Sequence, residues 1–405
     1  MNEKSVSKNY NFTAVDKLIN QEVAAGFPGA VLLVSQNGEI IKHSAYGYQL
    51  RYDKFGVALE KPEVMRLDSI FDLASNTKMY ATNYALMHLV SAGKLNLDLP
   101  ICQYLPNYVG SDLNGQSREE RSVRDLLYHC AGYMPDPQMF NPKLIAQYGA
   151  DLYTQDPQTT REMILERLPF AGARGVSCLY SDVDYILLGY LIEQITGVPL
   201  DNYMQKTFYQ PLKLTHTTYN PLQHGFIPTQ CVASELSGNA KTRGEVVDFP
   251  NLRTGVIQGE VHDEKAFYSM AGVAGHAGLF STAAELAQLM SLMLNEGRNQ
   301  EQQFWNVATQ AEFVKACPLD LSFGLGWRRA EAHRVAWFGD YASDQAIGHT
   351  GWTGTVSVID PAYNLAIVLL TNKRHTRVIE GKFVGDQFAT GQYREVINLV
   401  YQAII

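Results

Sequence analysis

A serine followed three residues later by a lysine can do acyl-transfer chemistry, because the amine lies one helical turn from the hydroxyl and can help move its proton. The chain contains three such pairs: Ser5/Lys8, Ser75/Lys78 and Ser91/Lys94. Their surroundings separate them. Ser5 and Lys8 lie in a polar N-terminal stretch, and Ser91 and Lys94 straddle Gly93, where a helix would end. Ser75 follows the apolar run 70–74 and stands where the strongest helical pattern begins. A serine there has free backbone N–H groups and the positive end of a helix dipole close by, both of which stabilise a developing oxyanion. Two further stretches offer partners. Tyr180-Ser181-Asp182 puts a phenol and a carboxylate at a second helix start, and His349-Thr350-Gly351-Trp352 precedes a strand pattern. The glycine in the latter lets another backbone come close. Taken singly, each string also fits an ordinary cap or turn.

Patterning predicts the elements that must position these groups. Two apolar runs flank Asn37-Gly38, the strongest short-range hairpin signal, and a second pair, 354–359 and 365–370, flanks a turn at 360–364. Between them the signals are mostly helical. Residues 76–92 carry Met79, Tyr80, Tyr84, Leu86, Leu89 and Val90 at helical spacing; Ser122-Val-Arg-Asp125 has a capping-box pattern. Ser181-Asp-Val-Asp184 opens a helix that runs to Thr196 and stops at Gly197, and 285–294 and 393–405 add two more. The expectation is an α/β (α+β) fold. An antiparallel sheet of N- and C-terminal strands flanked by helices occupies 1–74 and 270–405, and a mostly helical inserted domain occupies 75–269. The active site is expected at their interface, a favoured place for a ligand cleft.

The chain has 405 residues, 46% of them hydrophobic and 18% charged, which excludes disorder, collagen and coiled coil. The net charge of −8 gives no general electrostatic footprint for nucleic acid or an anionic membrane surface. No apolar run approaches the roughly 18 residues of a membrane span. Neither a nucleic-acid partner nor a membrane span is expected, and the oligomeric state is not legible. The first twenty residues lack the apolar segment of a secretory signal, so the chain as written reads as cytoplasmic, with removal of an export segment from a precursor as the alternative. The five cysteines, Cys102, Cys130, Cys178, Cys231 and Cys317, have no paired spacing and read as small buried hydrophobes without a disulfide framework. There is no HExxH, and His262-Asp263-Glu264 puts neighbours on different sides of any regular element, so no metal is expected. No cofactor is expected either: Gly324-Leu-Gly326 lacks the third glycine of a dinucleotide loop. Gly175-Val-Ser177-Cys-Leu179 fails as a G-x-S-x-G elbow. The basic string Asn372-Lys-Arg-His375 reads as a solvated strand end, with contact to an anionic substrate as the alternative.

In order along the chain, Ser75-x-x-Lys78, Tyr180-Ser181-Asp182 and His349-Thr350-Gly351 resemble the active-site triad of serine β-lactamases and penicillin-binding proteins. The resemblance is to the class C branch, which includes D-Ala-D-Ala carboxypeptidases and related esterases. It covers nearly the whole chain: 126–132, 185–189, 211–214 and 275–282 are also similar to the family's pattern. The resemblance implies that Ser75 becomes acylated, that Lys78 and Tyr180 share proton transfer, and that the backbone N–H groups of Ser75 and Trp352 form an oxyanion hole. Asp182, His349, Thr350, Gly351 and Trp352 would bind substrate, a small molecule or short peptide. The implied activity is that of a serine hydrolase working through an acyl-enzyme on D-Ala-D-Ala-type peptides or β-lactams; an esterase, a cell-wall amidase or a slow-turnover sensor would use the same triad. Two positions depart from the pattern. His349 stands where lysine is commoner, which implies a partly charged, pH-dependent carboxylate anchor, since free histidine titrates near about 6.5. Asp182 stands where asparagine is commoner; facing Lys78 as an anion it would favour the ammonium and move the burden onto Tyr180.

Overall fold

Asn37 and Gly38 both adopt positive φ (53° and 80°), as a two-residue hairpin turn requires, and join strands Gly29–Gln36 and Glu39–Tyr52. Toward the other end of the chain, the Asp360 carboxylate accepts a hydrogen bond from the Ala362 N–H, and left-handed Asn364 completes the turn between Thr355–Asp360 and Leu365–Thr371. In this computed structural model, which describes residues 10–112, 114–238, 248–331 and 335–405, the two hairpins meet edge to edge. Gly29–Gln36 pairs antiparallel with Leu365–Thr371, with Leu33 opposite Val368. This pair is the middle of a seven-stranded antiparallel sheet ordered Ala58–Val64, Glu39–Tyr52, Gly29–Gln36, Leu365–Thr371, Thr355–Asp360, Ile347–Gly351, Arg328–Arg329. The fold is mixed α/β, with strands from both chain ends in one sheet and helices packed on it.

The central strands read as continuous apolar runs because both faces are covered. Ala30, Leu32, Val34, Ile367 and Leu369 pack against the helices Thr13–Ala24 and Arg394–Ile404. Val31, Leu33, Val368 and Leu370, on the alternate face, join a larger core that runs through the helices Asp182–Thr196 and Ala283–Leu294. The expected helix over 76–92 divides: Lys78–Asn83 is wound as a π-helical turn before the α-helix Tyr84–Ser91. Such turns are frequent at functional sites. The capping box at Ser122 and Asp125 is present, and Ser181 caps its helix by accepting from the Val183 N–H. The helix Thr13–Ala24 and the edge strands Ala58–Val64 and Arg328–Arg329 were not foreseen; Ala58–Val64 carries Pro62, which only an edge strand tolerates.

The string Asn372-Lys-Arg-His375 is not a solvated strand end. All four residues are buried. Lys373 donates to the Gly391 carbonyl and pairs with Asp386, Arg374 also pairs with Asp386, and the His375 Nε2 accepts from the N–H groups of Arg51 and Tyr52. Among the described residues no helix is long and apolar enough to cross a membrane.

Candidate active site

The short strand Phe71–Asp72 pairs with Leu279–Ser281 and delivers the chain into a 3-10 turn, Ala74–Asn76, that carries Ser75. Asp72 fixes this turn, its carboxylate accepting from the Ala74 N–H at 2.8 Å and the His262 N–H at 2.6 Å. Burial pushes the Asp72 carboxyl up to about 6 in spite of those two donors. Ala74 takes a φ of 47°, a strained conformation for a residue with a side chain, and holds it immediately before Ser75. From the sheet side, the Thr355 hydroxyl donates to the Leu73 carbonyl and the Ser357 hydroxyl donates to Asn76 Oδ1. A Cβ added to Gly351 would lie 2.4 Å from the Leu73 oxygen, so the glycine is what lets strand Ile347–Gly351 lie against the turn.

Lys78 opens the π-helical turn and is fully buried. Its ammonium donates to Ser75 Oγ at 3.1 Å, to Asp182 Oδ1 at 2.8 Å and to the His276 carbonyl at 3.1 Å. Burial opposes the charge, but the Asp182 carboxylate and the Tyr180 phenol together outweigh it, and the pKa stands above the usual lysine value. Asp182 in turn faces Lys265 Nζ at 3.1 Å. Lys265 also pairs with Asp136 and with Asp263, which meets His276 Nε2 at 2.9 Å. Burial favours the neutral form of Asp182, yet Lys78 and then Lys265 hold its carboxyl well below the usual range. The donor atoms of Asp182, Asp263 and His276 lie within 4.8 Å of one another. Because the ammonium groups of Lys78 and Lys265 already engage those carboxylates, this cluster is an ion-pair network and not a ligand set for a metal.

Tyr180 comes directly before the capping Ser181, which puts its ring 5.0 Å from Lys78 Nζ. The phenol oxygen is buried and makes no well-formed hydrogen bond; Lys78 and Ser75 are the polar groups that act on it. Burial raises its pKa, and the Lys78 charge offsets only part of the rise. The Tyr180 ring packs between two histidine rings, that of His129 at 4.6 Å and that of His349 at 5.9 Å between centroids. His129 is fixed by its 2.7 Å contact with Asp184. The His349 Nδ1–H donates to the Thr350 carbonyl at 2.7 Å. Burial, reinforced by the Lys78 charge, pushes His349 down to about 3. The expected partly charged anchor is therefore corrected: His349 is a buried, neutral imidazole behind Tyr180, because its side chain is surrounded by protein rather than water.

A cleft of about 260 Å³ is lined by Ser75, Tyr180, Asp182, Lys265, Asp136 and Trp352, among others. Of the residues singled out in the sequence, Ser75, Tyr180, Asp182 and Trp352 reach this cleft, and Lys78 lies behind Ser75. Gly351 backs the serine turn, Thr350 is half-buried beside it, and His349 is out of the cleft. The sequence did not reveal Asp136, Lys265 or the pairing of Asp263 with His276. Asp263 also caps a helix, accepting from the Ala266 N–H. The similarity of 275–282 to the family pattern was the one signal near His276.

A serine hydroxyl bonded to a buried ammonium, with a phenol on the same wall of a cleft beside an antiparallel strand, defines a serine hydrolase of β-lactamase and penicillin-binding-protein architecture. The family model described as Beta-lactamase matches residues 15–384, and the chain belongs to that family. It is 47% identical over 399 residues, 96% of this chain and 88% of the relative, to a Bacillus subtilis (strain 168) protein named N-acetylmuramyl-L-alanine amidase. It is 46% identical, over 96% of this chain and 90% of the relative, to an Escherichia coli (strain K12) protein named provisionally as a D-alanyl-D-alanine carboxypeptidase. Among solved structures it resembles EstCE1, a hydrolase with promiscuous acyltransferase activity, at a TM-score of 0.70, 20% identity, and coverage of 96% of this chain and 98% of that one. It also resembles a penicillin-binding protein homolog from Caulobacter crescentus, at a TM-score of 0.65, 19% identity and 97% coverage of both chains.

Proposed function

We propose that Ser75 is the nucleophile of an acyl-enzyme cycle on amides of peptidoglycan type, with D-Ala-D-Ala peptides or β-lactams as acyl donors. The observation that carries this reading is the 3.1 Å hydrogen bond from Lys78 Nζ to Ser75 Oγ on the wall of the cleft that Tyr180 lines. In the first half of the cycle the Ser75 oxygen bonds to the substrate carbonyl. Its proton passes to the Lys78/Tyr180 pair and on to the leaving nitrogen as the C–N bond breaks. In the second half, water attacks the ester and gives its proton to the same pair, which returns it to Ser75 as the acyl C–O bond breaks. The backbone N–H groups of Ser75 and Trp352 stabilise the oxyanion, each such donor being worth about 10²–10³ in rate. Thr350 offers a strand-edge contact to the substrate backbone, and the Trp352 ring, half-exposed at the cleft mouth, offers it an apolar face. Lys78 and Tyr180 both titrate above their usual values, so the reactive form is the one in which the pair has lost one proton. Acylation accelerates as pH rises.

A second reading, hydrolysis of an N-acetylmuramyl-L-alanine amide, is favoured by the name of the Bacillus subtilis relative and by the neutrality of His349, which leaves no cation at that position for a terminal carboxylate. Intact-protein mass spectrometry after exposure to penicillin, a D-Ala-D-Ala peptide and an N-acetylmuramyl-L-alanine peptide tests both readings. An adduct on the peptide that contains Ser75, absent in Ser75→Ala, is expected. Persistent labelling of that variant overturns the nucleophile assignment, and the released product separates the two substrates.

A further inference from the structure

Three of the five cysteines, far apart in sequence, converge. Cys178 Sγ lies 3.0 Å from Cys130 Sγ and 3.3 Å from Cys317 Sγ, and all three sulfurs are within 4.8 Å of one another. They come from three separate segments. Cys130 follows the helix Val123–Leu127, Cys317 follows the helix Val307–Val314, and Cys178 belongs to the stretch that leads into Tyr180. That stretch is largely exposed over 173–177, and Cys178 is where it turns back onto the core. Cys130 and Cys317 are buried, while Cys178 keeps one side toward solvent.

We propose that Cys130, Cys178 and Cys317 form a binding site for one soft d10 cation, Zn(II) or Cu(I), held by three thiolates. Thiolate sulfur selects such ions, and three converging donors exceed what a disulfide uses. The spacing fits. Zinc–sulfur bonds of about 2.3 Å put tetrahedral ligand sulfurs about 3.8 Å apart, so seating the ion asks the sulfurs to spread by less than an ångström from the contacts they already make. The solvent-facing side of Cys178 leaves room for a fourth, water ligand on Zn(II), whereas Cu(I) needs only the three sulfurs. Binding releases the thiol protons to solvent. Of the charged groups that act on Cys178, the Asp320 carboxylate disfavours the thiolate and Arg328, stacked 3.8 Å over Phe323, favours it. The site is separate from the Asp182/Asp263/Lys265 network and takes no part in acyl transfer.

The test uses the full-length protein, reduced and freed of metal, titrated anaerobically with Zn(II) or Cu(I) against a competing chelator. One equivalent of at least one ion should be retained by the wild type, by Cys102→Ser and by Cys231→Ser. Cys178→Ser and Cys178→Ala should bind more weakly by more than the roughly 10–100-fold that loss of an outer-shell partner costs. In the wild type the bound ion should also protect Cys130, Cys178 and Cys317 from alkylation and leave Cys102 reactive. Retention of neither ion, or equal retention by the Cys178 variants, overturns the proposal. So does a Cys130–Cys178 disulfide formed on mild oxidation of a protein that binds neither ion when reduced.

Discussion

Replacing Asp182 with asparagine removes the anion that keeps Lys78 protonated and keeps an oxygen for its hydrogen bond. Two unit charges 4 Å apart at an effective dielectric of 20 attract by about 4 kcal/mol, and the Lys78–Asp182 contact is shorter, at 2.8 Å. Asp182 divides its charge between Lys78 and Lys265, which reduces the share felt by Lys78. The net effect falls in the range of about 1–3 pKa units that an adjacent opposite charge produces, roughly 1.4–4 kcal/mol. The sign is definite. Losing the carboxylate lowers the Lys78 pKa, so the deprotonated pair forms at lower pH. The acid limb of the acylation rate, measured from pH 5 to 10 with a chromogenic cephalosporin or an activated ester, should move down by about 1–3 units. Below that limb the variant acylates faster than the wild type. Lys265→Gln should move the limb the other way, since it removes a cation that repels Lys78 and leaves Asp182 to pair with Lys78 alone. A limb that stays put in Asp182→Asn, or rises, refutes the assignment of Lys78 and Asp182 to the proton-transfer pair.

Because His349 is pushed down to about 3, its imidazole NMR resonances should not titrate between pH 5.5 and 8, and His349→Gln should leave the pH dependence of KM unchanged. Gly351→Ala drives a methyl group into the Leu73 carbonyl and should cost about 1–3 kcal/mol by urea unfolding, with weaker labelling of Ser75. Asp72 has a folded-state pKa of about 6, above an unfolded value of about 3.9. The folded protein therefore holds more protons in that window, and this group makes stability fall as pH rises from 4 to 6; Asp72→Asn should lack that slope in melts across the range. Tyr180→Phe should slow turnover on every acyl donor, and wild-type rates in that variant would remove the phenol from proton transfer.

The hairpins and the Ser75, Lys78 and Tyr180 strings were legible because each rests on local pattern: alternation around Asn37-Gly38, one helical turn between serine and lysine, a cap at Ser181. Burial at isolated polar positions was not legible. His349 in a short strand and Lys373-Arg374-His375 after another look alike in sequence whether water or protein covers them, and in both places the structure covers them. Long-range convergence was equally hidden. Lys265 meets Asp182 and Cys178 meets Cys130 only because the helical region folds back on itself, and Cys317 reaches Cys178 from the later segment that follows the helix Val307–Val314. That Asp182 faces Lys78, at 2.8 Å, was raised in the sequence only as a condition attached to the family resemblance, because spacing does not bring the two together.

The strands at the middle of the sheet have a consequence for biosynthesis. Gly29–Gln36 leaves the ribosome with one edge bare, and its mate Leu365–Thr371 is made only after the more than 300 residues between them. Throughout translation the nascent chain displays an unsatisfied row of amides and carbonyls on an apolar ribbon, the kind of surface on which polypeptides aggregate. A premature stop anywhere ahead of Leu365 should therefore yield insoluble material or a chaperone-bound product, not a weakened enzyme.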